Sequence, residues 1–249
     1  MKIRILGCGG SRGVPSLEYG WGACNPDNPK NRRSRTSALI ETDHGNILID
    51  TGPDARTQLL DAGRPPVHGV LYTHAHYDHL VGISDIANYA GGSKQKIPFF
   101  VPACAQDIFQ KAEEFLFHQH EYFHMNVIQP YQSFTLLNQT IIPFEQEHGR
   151  IKTLGYRIGD FAYSTDVKNL NEKSFETLQG IKTWVLGAAI PAESAGHVHF
   201  DVAMQWIERL KPAQVFITHL VGMQDYDTLS ARLPKHIRPC YDGLVIEIK

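Results

Sequence analysis

The segment Thr73-His74-Ala75-His76-Tyr77-Asp78-His79 places four potential metal ligands within six residues, directly behind the apolar run Gly69-Val70-Leu71-Tyr72. The run reads as a strand and the segment as the loop opening from its end. Imidazoles and a carboxylate buried there without partners would cost on the order of several kcal/mol. A bound cation removes that cost. Imidazole with carboxylate suits zinc, manganese or iron, and the lack of thiolates points to a catalytic site, away from a closed structural one.

Further candidates stand at the ends of other apolar stretches, where a sheet would deliver them to one rim. Asp50 follows Ile47-Leu48-Ile49, His148 follows Ile141-Ile142-Pro143-Phe144, Asp166 follows Phe161-Ala162-Tyr163-Ser164 and His219 follows Val215-Phe216-Ile217. A lone residue so placed is more often a satisfied polar group than a ligand. Four repeating the pattern beside HxHxDH change that balance.

Short β-branched runs also open and close the chain, at Ile3–Leu6, Ala38–Ile40 and Leu244–Ile246, and Asp43-His44-Gly45-Asn46 reads as a hairpin turn. Helical spacing marks 54–62 and 201–210, the latter stopped by Pro212, with further helices expected over 102–117 and 169–179. Paired strands early, interspersed helices and strands again late fit an α/β layered sandwich. The 249 residues suit a single domain, 1–249. The 24 basic and 26 acidic residues nearly cancel, so no overall field draws the chain to nucleic acid or anionic membrane. No apolar run approaches the roughly 20 residues of a membrane span, and a cytoplasmic location is expected. Cys8, Cys24, Cys104 and Cys240 lack CxxC spacing, which argues against a disulfide framework or a cysteine-only zinc site.

HxHxDH with a preceding strand-end Asp and later His, Asp and His resembles the metallo-β-lactamase superfamily. The resemblance implies an αββα sandwich carrying two divalent ions, zinc or manganese with iron as a further option, at one edge between its sheets. It assigns His74, His76 and His148 to one ion and Asp78, His79 and His219 to the other. Asp166 would bridge them, and Asp50 would orient ligand imidazoles from behind. Gly7-Cys8-Gly9-Gly10-Ser11-Arg12-Gly13-Val14-Pro15, Asn31–Ser37, Ile217–Leu220 and Tyr241–Leu244 further resemble the PhnP-like cyclic-phosphate phosphodiesterases. That branch implies a small phosphodiester substrate such as a phosphoribosyl cyclic phosphate, and it leaves room for a homodimer. It also implies a catalytic His in Gly196-His197-Val198-His199-Phe200, with His197 favoured over His199, and a part for Asp78 in deprotonating water. The family's structural zinc on a Cys-rich loop is not expected, because Ser16–Cys24 offers one thiol and Val221-Gly222-Met223 lacks the completing His.

Other signals weigh less. Lys30, Arg32, Arg33 and Arg35 could hold a phosphate, although a solvated basic loop is the blander reading. His118, His120 and His124 suggest a helix end or lid, with a substrate pocket as the alternative. Arg12 stands where GxGxxG would need its third glycine. Asp50-Thr51-Gly52 has no second copy to make an aspartic-protease dyad. An RNA-processing nuclease or thioester hydrolase on the same metals remains open, as does a non-catalytic binding protein of the same fold.

Overall fold

The computed structural model describes residues 1–116, 123–188 and 194–248. Strands β1 (Lys2–Gly7), β2 (Ser37–Thr42), β3 (Gly45–Ile49), β4 (Gly69–Leu71), β5 (Ile97–Pro102), β6 (Phe123–Ile128) and β14 (Val245–Glu247) form one sheet, ordered β14-β1-β2-β3-β4-β5-β6. Strands β7 (Phe134–Leu136), β8 (Gln139–His148), β9 (Ile151–Ile158), β10 (Phe161–Ser164), β11 (Thr183–Leu186), β12 (Gln214–Ile217) and β13 (Ile237–Pro239) form the other, ordered β13-β12-β11-β10-β9-β8-β7.

Successive side chains of a strand point to opposite faces, and both faces of the first sheet are covered. Ala38, Ile40, Ile47, Ile49, Leu71 and Phe100 enter a core shared with Phe144, Tyr156, Trp184 and Phe216 of the second sheet. The alternate residues Leu39, Leu48, Val70, Tyr72, Phe99 and Val101 pack with Ile83, Ile86, Ala87 and Ala90 of helix α3 (Ile83–Ser93), which follows the one-turn helix α2 (Tyr77–Leu80). Helices α5 (Glu172–Leu178) and α6 (Phe200–Leu210) add Phe175, Leu178, Trp206 and Ile207 to the core of the second sheet. The result is the αββα sandwich. Among the described residues no helix is long and apolar enough to cross a membrane.

Most expected elements are present, some with different bounds. The helix expected over 102–117 starts later, as α4 (Gln106–Leu116), because 97–102 forms strand β5 despite its two prolines. The helices expected over 54–62 and 169–179 are α1 (Ala55–Asp61) and α5, the latter capped by the Asn171 side chain, which accepts from Ser174 N–H. The hairpin turns at Asp43-His44, with Gly45 at φ 134°, while Asn46 is already paired with Glu41. His124 is the second residue of strand β6 and so does not lie on a helix end or lid; His118 and His120 lie outside the described residues. Helix α3 is unmarked in the sequence, since Gly91 and Gly92 blur its last turn, and so is the seven-residue helix α7 (Tyr226–Arg232).

Candidate metal centre

Strand direction explains why distant residues meet. Strands β3 and β4 are parallel, so Asp50 and Thr73 leave the first sheet at the same edge. In the second sheet β8 and β10 each run antiparallel to β9 and therefore run the same way, while β10, β11 and β12 are parallel. Their C-terminal ends present His148, Asp166 and His219 on one rim, where open α/β sheets gather ligands. Asp50, Asp166 and His219 have φ values of 59°, 49° and 59°, a left-handed conformation that costs a non-glycine residue roughly 1–2 kcal/mol. Such strain concentrates where side chains must be aimed.

The Asp166 carboxylate is the hub. Its Oδ2 lies 3.1 Å from His79 Nε2, and its Oδ1 lies 3.3 Å from His219 Nε2, 3.6 Å from His148 Nε2 and 4.0 Å from His197 Nδ1. Asp78 Oδ2 is 3.3 Å from His79 Nε2, and His74 Nε2 is 3.0 Å from His76 Nδ1. Ligand atoms within 4.8 Å of one another form the groups His74, His76, His148 and Asp78, His79, His219, with Asp166 grouped with His74 and His79 and again with His148 and His197. The structure thus brings all seven candidate ligands together, and His197 with them.

The imidazoles are aimed from behind. Asp50, fully buried, accepts from His79 Nδ1 at 2.7 Å, from Thr73 Oγ1 at 2.7 Å and from Thr73 N–H at 2.8 Å. With Thr73 Oγ1–H committed to Asp50, the hydroxyl accepts from His74 Nδ1–H at 3.0 Å. One carboxylate therefore orients two imidazoles and leaves each Nε2 lone pair facing inward. The Gly196 carbonyl does the same for His148, accepting from its Nδ1. Gly196 must lack a side chain, since a Cβ there would sit 2.9 Å from the His148 ring. Asp166 rests on a scaffold that the sequence did not reveal: Thr165 Oγ1 donates to its carboxylate, Thr153 Oγ1 to its carbonyl, and Gln146 Nε2 to Thr153 Oγ1 and the Thr165 carbonyl. These are buried, neutral residues with no motif spacing, and only the folded rim shows their purpose.

The donor set fits a cation. His79 Nε2 and His219 Nε2 are buried without a hydrogen-bond partner. With Nδ1 of His79 donating to Asp50, a neutral ring would turn its Nε2 lone pair toward the Asp166 carboxylate 3.1 Å away. Only a proton or a metal ion between them relieves that. In the ion-free chain the proton is favoured: burial opposes charge on His79, but the Asp166 and Asp50 carboxylates outweigh it and hold the imidazole well above its ordinary range. Burial likewise opposes charge on Asp166, and His219 and His79 overcome it, keeping the carboxyl well below the usual range. Nitrogen and carboxylate donors without thiolate match zinc, manganese or iron.

Replacing Asp50 by Asn removes the charge that orients both imidazoles. Metal affinity should fall about 10- to 100-fold, measured by competition with a chromogenic chelator. An unchanged affinity would show that Asp50 is only packed there.

His199 does not join the site. It caps α6, its Nδ1 accepting from Asp201 N–H, whereas the His197 ring stacks on His219 at 4.7 Å and meets His148 edge-on at 4.8 Å. Burial first, then the neighbouring His219, pushes the His197 pKa down to about 4.

Within the basic run Arg32 is exposed, while Arg33 and Arg35 are engaged by other segments of the protein. Arg33, 2% exposed, donates to the Val221 and Gln224 carbonyls and to Asn31 Oδ1. Arg35 pairs with Asp54 at 3.1 Å and lies 3.5 Å from Tyr77 Oη, which donates to the Ser11 carbonyl. Lys30 stands over the Tyr226 ring and Arg32 over Trp21. In the Ser16–Cys24 loop the Cys24 thiol donates to the Gly222 carbonyl.

A sequence model described as the beta-lactamase superfamily domain matches residues 45–220, which contain every one of these candidate ligands. The chain belongs to the beta-lactamase superfamily. The superfamily fold extends over the whole chain: a diphosphatase of the PhnP family superposes on 100% of it and 98% of its own length, with a TM-score of 0.92 and 27% identity. Zinc-bound PqqB of Methylobacterium extorquens shares the fold over 100% of both chains, at a TM-score of 0.81 and 15% identity. An octanoyltransferase of Porphyromonas gingivalis is 29% identical over 252 residues, covering 98% of this chain and 51% of its own. The present chain spans about half the length of that relative.

Proposed function

We propose that this superfamily member is a dinuclear metal-dependent phosphodiesterase acting on a small phosphodiester. The observation that carries the reading is the Asp166 carboxylate, which faces imidazoles of both ligand groups within 4.0 Å. His74, His76 and His148 would hold one ion, and Asp78, His79 and His219 the other, with Asp166 between. A pair of divalent ions there supplies an activated water and neutralises charge on the phosphodiester oxygens. The phosphoryl chemistry of the PhnP-family diphosphatase supports this choice of substrate.

The chain's own groups do the rest. Asp50, Thr73 and the Gly196 carbonyl hold the imidazoles in one tautomer and orientation. Asp78, 95% buried beside His79, accepts the proton that leaves the attacking water. His197, neutral at neutral pH, gives an N–H to a non-bridging oxygen as charge builds there. Replacing His197 by Ala should therefore leave the metal count intact and lower kcat about 100-fold. His199→Ala, which removes only a helix cap, should leave kcat unchanged; equal losses in the two variants would remove His197 from the mechanism.

A thioester hydrolase is the second reading, favoured by the acyl chemistry named for the Porphyromonas gingivalis relative. The deciding experiment assays metal-loaded and metal-stripped protein side by side on cyclic ribose phosphates, bis-nitrophenyl phosphate, acyl thioesters and RNA. Metal-dependent hydrolysis of the phosphodiesters supports the proposal. Full activity without metal, or turnover of thioesters alone, ends it.

A further inference from the structure

A cavity of about 580 Å³ opens directly onto His197 and His219. That is within the range of small-molecule sites, roughly 300–1,000 Å³. Apart from Arg12, its other described walls are Tyr19, Ala23, Leu220, Val221 and Met223, the serines Ser11 and Ser16, and the glycines Gly10, Gly13, Gly22 and Gly222. Tyr19 and Met223 are 63% and 73% exposed, so two large apolar side chains stand in water at the mouth of a polar centre. Both line the same cavity, so their apolar surface faces the space beside the centre.

The charge pattern of the lining narrows the occupant. Arg12 is the only cationic side chain among its described residues, and its guanidinium pairs with Glu18 Oε2 at 3.2 Å while covering the Tyr19 ring at 5.3 Å. A second phosphate on the substrate would find no free cation here. An aromatic arm would find the tyrosine face already taken. Beside Ser11 and Ser16, the latter's hydroxyl accepting from Tyr19 N–H, what remains is a flexible thioether, a leucine, a valine, an alanine and glycine backbone, which adapt to a methylene chain.

On this basis, and resting on the phosphodiesterase reading above, we propose that the cavity binds the aliphatic arm of an alkyl phosphodiester, holding it while the other ester bond is cleaved. In that step a water oxygen bonds to phosphorus and the P–O bond to the leaving group breaks. The leaving oxygen departs with the bonding electrons, the proton from water passes to the Asp78 carboxylate, and an alkyl phosphate monoester stays in the cavity.

The test is a series of p-nitrophenyl alkyl phosphates, methyl, butyl, hexyl and octyl, with the zinc- or manganese-loaded chain. The expected kcat/KM rises about three- to fourfold per methylene until the cavity is filled, the rate equivalent of ~0.8 kcal/mol per buried CH₂. Met223→Asp and Tyr19→Asp, both at exposed positions where the fold is not at risk, should each lower the octyl-to-methyl ratio at least tenfold. A flat series, or ratios untouched by both variants, overturns the proposal. If no member of the series is cleaved, methyl included, the phosphodiesterase reading fails by itself. The cavity is then tested by calorimetry with butyl and octyl phosphate: tighter octyl binding that Met223→Asp abolishes sustains the aliphatic site, and equal affinities refute it.

Discussion

Replacing Asp166 by Ala is expected to strip the chain of tightly held metal and to lower hydrolysis about 10³-fold. The expectation follows from its position: its two oxygens face His79, His219, His148 and His197 at 3.1 to 4.0 Å, and no other carboxylate reaches both groups of candidate ligands among the described residues. Without it, His148 and His219 lose the group that joins their clusters, and two cations placed close together would repel one another with nothing between them. Asp166→Asn is the sharper variant. It keeps the size, the acceptor for Thr165 Oγ1 and a residue type that tolerates the left-handed φ of 49°, yet removes the charge. Metal content by elemental analysis and turnover should fall together in both variants. Two ions per chain and undiminished rates in Asp166→Asn would sink the dinuclear account.

The second large effect lies away from the chemistry. Arg33→Ala should destabilise the fold by about 3–5 kcal/mol, because two carbonyls and an amide oxygen lose their donor in a buried setting. At roughly 2–4 °C per kcal/mol for a chain of this size, Tm should drop by about 6–20 °C. Val221 and Gln224, which Arg33 ties down, follow His219 closely in sequence, so a weaker hold on metal should accompany the lower Tm. Arg33→Lys should rescue little, since a single ammonium cannot reproduce the guanidinium fork that spans these acceptors. A shift within about 0.5 kcal/mol, as for ordinary surface positions, would restore the reading of this run as a solvated loop.

The contrast between Arg33 and the HxHxDH segment shows what a linear reading reaches. The metal loop announces itself because its four polar ligand types are adjacent in sequence and follow an apolar run. The continuous apolar runs Ala38–Ile40 and Ile47–Ile49 are likewise local, and they mark buried strands on which the centre is built. Arg33 sits among basic neighbours that look solvated, and its burial depends on carbonyls 188 and 191 residues away. Thr73 stands beside its ligand neighbours yet looks inert until Asp50, 23 residues earlier, is seen to accept from its hydroxyl. Gln146, Thr153 and Thr165 carry no signal at all until three strand ends meet.

Residue types and spacing therefore pointed to a layered α/β fold and to the candidate ligands, and the resemblance that those motifs carry pointed to the superfamily, since each motif spans only a few residues. The tertiary structure alone decided that Arg33 is buried, that Gln146, Thr153 and Thr165 hold the Asp166 segment and that His199 caps a helix, and it supplied the distances at which Asp166 faces both ligand groups. Those outcomes depend on strand direction and long-range hydrogen bonds, whose partners are brought together only when the chain closes on itself.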